Sequence, residues 1–274
     1  MKKQTHTPLL LATLLLSALG HDALSATPSN APTGAAGAAA SPAAYWTMDR
    51  ISDGCVEDRT GSHNAAIPKL AAQKDAKSGE ILPDFNPATE PGIKGNALLL
   101  KGEEQGFLDV ANPKSFDFSG GMTVSAWIKV DRPSALMNIL SCAEDTPNPP
   151  CGWTLSYSYG TAVFRAVDET GNLVILNSPQ NSVAPGAWVH LAAVADATAI
   201  RLYINGAEVA AKPFAGPIKR GDTPLVIGNH ATISGWRHFE CPAYSGLLDE
   251  VKIFEQPLGT AAITAESDQA LSGK

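Results

Sequence analysis

Aromatic, basic and hydroxyl-bearing side chains recur in this sequence at strand spacing. In Trp188–Ala195, alternation sets Leu191, Ala193 and Ala195 on one side and Trp188, His190, Ala192 and Val194 on the other. In Ile200–Asn205, Ile200, Leu202 and Ile204 form the aliphatic side, opposite Arg201, Tyr203 and Asn205. The short link from Asp196 to Ala199 predicts a hairpin. Pairing Leu191 with Ile204 and Ala195 with Ile200 brings both aliphatic sets to the core. Trp188, His190, Arg201 and Tyr203 then share the other face. Met122–Val130 behaves alike, with Val124, Ala126 and Ile128 opposite Ser125, Trp127 and Lys129. Rigidly held aromatic rings can stack on sugar C–H patches while charged and amide groups take the hydroxyls. The plainer alternative is cross-strand aromatic packing, with His190 a hydrogen-bonded structural residue. Trp153–Tyr159 adds either Ser156 and Ser158 or Tyr157 and Tyr159, depending on which set faces inward. A second candidate is the loop His230–Tyr244, carrying Trp236, Arg237, His238 and Phe239, with Cys241 holding it in place.

Asp249 raises a different chemistry. In Leu247–Ile253 simple alternation puts it on the side of Val251 and Ile253, so a core-facing strand would bury a carboxylate. One expectation is a structural Ca²⁺ held by Asp249, by oxygen from the Asp49 region and by backbone carbonyls. The other is a carboxylate accepting backbone N–H bonds. If Trp46 and Met48 face the core, Asp49 points away and offers only its carbonyl. His63, His230 and His238 have no spacing that builds a metal triad. G-x-S-x-G, H-E-x-x-H and a phosphate-cradling loop are all missing, so no catalytic residue is assigned.

The elements that must position these residues are β-strands. The chain has 274 residues, 17% of them charged, with 24 Gly and 20 Pro, which points to strands and turns. A net charge of −7 argues against nucleic acid and, more weakly, against anionic membranes. Lys2 and Lys3, the apolar run Pro8–Leu19 and the small residues around Ala23–Ala26 form an export signal over residues 1–26. The run is too short to span a bilayer, which takes about 20 residues. No cysteine lies near the cut, so a periplasmic or secreted protein without a lipid anchor is expected. Residues 27–44, rich in Ala, Pro, Gly and Ser, read as a flexible tether, and residues 266–274 as a tail. Strand-like runs occur at Tyr45–Met48, Ala97–Leu100, Phe107–Val110, Met122–Val130, Trp153–Tyr159, Val163–Val167, Leu173–Leu176, Trp188–Ala195, Ile200–Ile204, Leu225–Ile227 and Leu247–Phe254. Residues 68–80 and Pro257–Leu271 are candidates for short surface helices. Export favours disulfides over metal ligation for Cys55, Cys142, Cys151 and Cys241, and three connectivities are possible. The turn-rich loop between Cys142 and Cys151 makes their pairing easiest and leaves Cys55 with Cys241.

As a set these segments resemble a known family. YWTMD, Gly54, EDRTGSHNAAI, GNALLLKG, MTVSAWIKV, GAWVHLAAV, IRLYINGAEV, PLVIGN and GLLDEVKIF follow the order of laminin G-like jelly-roll domains of the concanavalin A-like superfamily. The resemblance runs from Tyr45 to about Ile263. It departs at Val189-His190, where the family often shows two adjacent histidines, and in a longer insertion between Asn64 and Gly95. It implies an all-β, two-sheet antiparallel sandwich over residues 45–265, with first and last strands paired. That pairing fits a Cys55–Cys241 bridge, and a calcium ion between the terminal strands is common in such folds. The superfamily includes lectins, adhesion modules, glucanases and lyases, so fold leaves function open. The E-x-D-x-E run that its glucanases carry is missing here, although distant carboxylates can converge. The expectation is a non-catalytic module binding carbohydrate or a glycoconjugate through Trp127, Trp188, His190, Arg201, Tyr203 and Trp236. A polysaccharide hydrolase or lyase and an envelope adhesion module are the alternatives.

Overall fold

A computed structural model describes residues 40–70, 84–102, 106–110, 114, 116–144, 150–230 and 243–271. The export signal, Trp236, Cys241 and most of the tether lie outside these residues. The strands are β1 (Ala44–Trp46), β2 (Ala66–Leu70), β3 (Thr89–Pro91), β4 (Asn96–Leu100), β5 (Gly106–Val110), β6 (Met122–Val130), β7 (Met137–Glu144), β8 (Cys151–Ser158), β9 (Thr161–Val167), β10 (Leu173–Asn177), β11 (Val189–Ala195), β12 (Ala199–Ile204), β13 (Ala207–Pro213), β14 (Val226–Ile227) and β15 (Gly246–Phe254). One helix, α1 (Thr260–Leu271), follows.

Two antiparallel sheets face each other. One runs β13-β12-β11-β6-β15-β4-β3, with β1 also paired to β15; the other runs β10-β9-β8-β7-β14-β5-β2. This is the expected jelly-roll sandwich, and its first strand pairs with its last, Ala44 opposite Ile253 and Trp46 opposite Val251. The β11–β12 hairpin has the register that alternation demands, Leu191 opposite Ile204 and Ala195 opposite Ile200. Leu191, Ala193, Ile200 and Leu202 join Val124, Ala126 and Ile128 in the core between the sheets. Trp46 and Trp153, both almost fully buried, anchor it from opposite sheets.

Five departures from the sequence reading have physical causes. β1 starts at Ala44 and the Ala43 N–H already bonds to the Ile253 carbonyl, so the fold begins inside the expected tether. Lys69 and its neighbours form edge strand β2, not a helix; residues 71–83 lie outside the described region. β7 and β13 were not expected, because Asn, Ser and Cys interrupt the apolar pattern of β7 and β13 is an exposed edge strand. α1 extends past residue 265, burying Ile263, Ser267 and Ala270 at helical spacing. No disulfide joins Cys142 to Cys151. Cys142 stands opposite Trp153, and Cys151 opposite Glu144, so the two cysteines are diagonal neighbours. Diagonal positions lie about 7–8 Å apart, near the limit for a bridge. The Cys142 thiol donates to the Thr223 carbonyl at 3.6 Å, and burial pushes its pKa up to about 11. Cys55 donates instead to the Ser52 carbonyl at 3.4 Å.

β15 contains the largest surprise. Asp249 pairs with Trp127 and Lys252 with Ser125, so three steps on β15 match two on β6. A bulge absorbs the extra residue at Glu250, whose φ is +49°. Alternation therefore fails across it. Leu248 and Val251 both face the core, while Asp249 turns outward with Trp127. It is nevertheless fully buried, under the turn joining β3 to β4. Its Oδ2 accepts the N–H groups of Ile93 (2.8 Å) and Lys94 (3.1 Å), and its Oδ1 that of Glu250 (2.8 Å). Asp49 Oδ1 accepts the Asn96 N–H at 2.9 Å from the same turn. Gly92 and Gly95 permit this approach: a Cβ on either would lie 2.4 Å and 2.1 Å from the two carboxylates respectively.

This donor set does not fit calcium. The ion needs 6–8 oxygen ligands, whereas three N–H groups already take three of the about four lone-pair sites of Asp249. Among the described residues no three His, Cys, Asp or Glu side chains converge on a common point. The melting temperature should therefore move by less than about 1 °C between excess Ca²⁺ and chelator, since only a ligand that binds the native state raises it. A rise of several degrees by differential scanning calorimetry would restore the metal.

Candidate functional site

The outer face of the larger sheet is built in cross-strand rows. Asp249, Trp127 and His190 form one row across β15, β6 and β11. Lys252, Ser125, Ala192 and Tyr203 form the next, and Val194 with Arg201 lies beyond. α1 covers part of this face. Ala192, Val194, Tyr203, Phe254, Leu258 and Ile263 make a second small core beneath it. Burying Ile263 alone is worth about 1.5–3 kcal/mol. Every residue of β11 is consequently buried, on one face by the sandwich core and on the other by α1 and its neighbours.

Three of the expected side chains come together. The Trp127 and His190 rings lie 5.4 Å apart, tilted by 50°. Trp188, half-buried just before β11, packs on the same group with Ile93 and Ala270. His190 is positioned by the β12–β13 turn: Asn205 Oδ1 accepts its backbone N–H at 2.9 Å, and the Asn205 N–H bonds back to its carbonyl at 2.8 Å. Arg201 and Tyr203 are elsewhere. Arg201 is bound to Asp196. Tyr203 lies under α1, its hydroxyl 3.2 Å from Glu208 and 3.4 Å from Thr260. On the other sheet Tyr157 faces the core and Ser156 faces outward, donating to Asn138 at 2.8 Å.

A cleft of about 180 Å³ opens beside Trp127 and His190. Tyr45, Lys94, Glu250, Lys252, Glu266, Gln269 and Ala270 complete its lining. The bulge delivers Glu250, whose Oε2 accepts the Tyr45 hydroxyl at 2.6 Å and stands 3.6 Å from Lys94 Nζ. Lys252 pairs with Glu266 on α1 and lies 4.9 Å from the centre of the Tyr45 ring. Burial, reinforced by the bond to Glu250, raises the Tyr45 pKa and keeps its phenol protonated. Two lysines and two glutamates thus neutralise one another in pairs. Of these residues, Lys252 was legible as a lone cation in an apolar strand. Glu250 was hidden by the bulge, and Glu266 and Gln269 by their place on a helix distant in sequence.

Two groups in the Asp249–Trp127–His190 row titrate in opposite senses. Burial raises Asp249 to about 7, offset in part by the Lys94 N–H and reinforced by the Glu250 charge. Burial, with the Lys252 charge, lowers His190 to about 3. Between about pH 4 and 7 the native state holds the Asp249 proton that the unfolded chain releases, so that contribution falls as pH rises. Between about pH 3 and 6.5 the unfolded chain protonates His190 and the native state does not, so that contribution rises with pH. The two oppose each other from about pH 4 to 6.5. Denaturant titrations over this range should show His190→Phe losing stability, relative to the parent, as pH rises. Asp249→Asn should gain it, each with a limiting slope of about 1.4 kcal/mol per pH unit. Identical slopes in parent and variants would refute the assignment.

Comparison with known proteins places this geometry in context. A laminin G family model, described as the concanavalin A-like lectin/glucanases superfamily, matches residues 102–264. Among solved structures, domain 4 of AbnA, a GH43 extracellular arabinanase from Geobacillus stearothermophilus, in complex with arabinotriose, superposes with a TM-score of 0.60 and 19% identity, covering 84% of this chain and 100% of that one. The binding domain of Paraclostridial Mosquitocidal Protein 1 gives 0.55 and 16%, covering 80% and 50%. The Botulinum neurotoxin type G receptor binding domain gives 0.55 and 11%, covering 83% and 51%. The chain spans about half the length of those two toxin domains. A search of curated proteins gave no match. With the family model covering more than half of the chain and the two sheets in jelly-roll arrangement, this chain belongs to the concanavalin A-like lectin/glucanases superfamily.

Proposed function

We propose that this domain is an exported, non-catalytic carbohydrate-binding module that holds its ligand in the cleft between the outer sheet face and α1. The observation that carries the reading is a cleft in which the half-buried ring of Tyr45 and the edges of Trp127 and His190 stand among mostly polar side chains, with Trp188 packed behind Trp127. Aromatic surface for C–H patches next to convergent polar groups is the usual design of a sugar site. The arabinotriose complex of the arabinanase domain supports it at the level of a shared fold. Export is inferred from the signal over residues 1–26. Among the described residues no helix is long and apolar enough to cross a membrane.

Hydrolysis has one observation in its favour: Glu250 and Glu266 line the same cleft. Each is paired with a lysine, which suits structure and recognition better than acid–base work. Incubation with a polysaccharide panel should yield no new reducing ends and no unsaturated products. A glycan array probed with the chain lacking residues 1–26 should show selective binding. Tyr45→Ala should weaken it about tenfold, equivalent to about 1.4 kcal/mol, with the circular dichroism spectrum unchanged. New reducing ends would establish the hydrolase. An array without binding would leave protein–protein adhesion as the function.

A further inference from the structure

We propose that the cleft receives a single neutral sugar residue at the end of a glycan, held through adjacent hydroxyls, and discriminates against acidic sugars. This rests on the carbohydrate-binding reading above and specifies its ligand.

Three side chains that line the cleft carry a buried polar atom with no partner among the described residues: Glu250 Oε1, Trp127 Nε1 and His190 Nδ1. The residues are 6%, 3% and 2% exposed. Each atom is closed to solvent in the free domain, so a ligand must shift these side chains to reach the set; completing it recovers the about 1–3 kcal/mol that each unsatisfied atom costs. The pattern of needs is specific. The carboxylate oxygen accepts only, the indole N–H donates only, and the neutral imidazole nitrogen does either according to tautomer. An anionic ligand could satisfy Trp127 but would confront Glu250. A cationic ligand would do the reverse. Hydroxyl groups donate and accept, so a diol meets all three.

Charge points the same way. Lys94 is paired with Glu250 and Lys252 with Glu266, so an acidic sugar that reaches either cation also meets the glutamate beside it. Burial and Lys252 hold His190 neutral to about pH 3, so it adds no cation at ordinary pH.

Size sets the remaining limit. A cleft of about 180 Å³ is smaller than the about 300–1,000 Å³ of sites that enclose drug-sized ligands, so it suits one ring better than a chain. Ala270 of α1 packs on Trp127, so a glycan continuing past that end would have to displace the helix. Lys94, with its side chain 54% exposed, marks the open rim.

The test is calorimetric titration of the chain lacking residues 1–26. The probes are methyl glycosides of neutral pentoses and hexoses, the matching uronic acids, and an oligosaccharide of the best-binding sugar with its terminal hydroxyls free or methylated. A neutral glycoside should bind, its uronic acid at least tenfold more weakly, and methylation of the chain end should weaken binding at least tenfold. Trp127→Phe and Glu250→Gln should each weaken it about 3- to 10-fold, one hydrogen bond's worth, while Arg201→Lys leaves it unchanged. If either cleft variant fails to fold, the probe series on the parent chain decides. Equal binding of the methylated oligosaccharide would overturn end recognition, and equal or tighter binding of the uronic acid would overturn the charge argument; both would leave carbohydrate binding standing. No binding by any probe, together with a blank glycan array, would remove the carbohydrate reading itself.

Discussion

Leu248 and Val251 both reach the sandwich core, yet they are three residues apart on one strand. A regular strand cannot do this, because its side chains alternate with period 2. The chain must place one residue outside the ladder, and Glu250 takes that position with φ +49°. A non-glycine residue in this region costs on the order of 1–3 kcal/mol and persists only where its surroundings enforce it. Here they do. β15 is paired to β6, β4 and β1, so its ends are pinned in register on both sides of the bulge. The result is that Asp249, Glu250 and Lys252 are distributed over the outer face in a way that alternation alone would forbid.

That redistribution couples the cleft to the closure of the fold. Asp249 ties β15 to the β3–β4 turn through two N–H bonds. Glu250 ties it to Tyr45 on β1 and to Lys94 in the same turn. Lys252 ties it to α1 through Glu266. The cleft is therefore lined by elements that come from the first strand, an early hairpin, the last strand and the terminal helix. Few of its side chains can shift without disturbing the pairing of the two ends of the domain.

The legibility of this fold in its sequence followed the periodicity of each segment. β6, β11, β12 and β15 carry long aliphatic alternations, and the β11–β12 register could be written down from Leu191, Ala195, Ile200 and Ile204 alone. β2, β3 and β13 are edge or near-edge strands with polar or short sequences, and packing does not impress a pattern on them. The site was half legible for the same reason. Trp127 and His190 share a face because β6 and β11 are regular. Tyr203 shares that face too, but α1 lands on it, a tertiary event that no local pattern announces. Arg201 was drawn away by Asp196, five residues earlier, once the turn brought them together. Asp249 was assigned to the wrong face because period 2 was carried through a bulge whose central residue is not glycine. The expectation of a buried carboxylate was right, and the expectation of what satisfies it depended on N–H groups that only the folded turn supplies.

The cleft shows how polar groups can remain unsatisfied inside a stable domain. Each orphaned atom there costs about 1–3 kcal/mol, and total domain stability is only about 5–15 kcal/mol. The arrangement is tolerable because the apolar contacts around it are extensive: the sandwich core on one side and the Ala192–Tyr203–Ile263 cluster on the other. A simple apolar filling of the same space would be more stable. Its absence means that the outer sheet face is not optimised as a second core along its whole length. It is apolar under the first half of α1, at Ile263, and mixed under the second half, where Ala270 packs on Trp127 beside Glu266 and Gln269. One short helix thus does two things, closing a core with its first turns and walling a cleft with its last. The boundary between them falls at Ser125 and Lys252, one cross-strand row beyond Trp127.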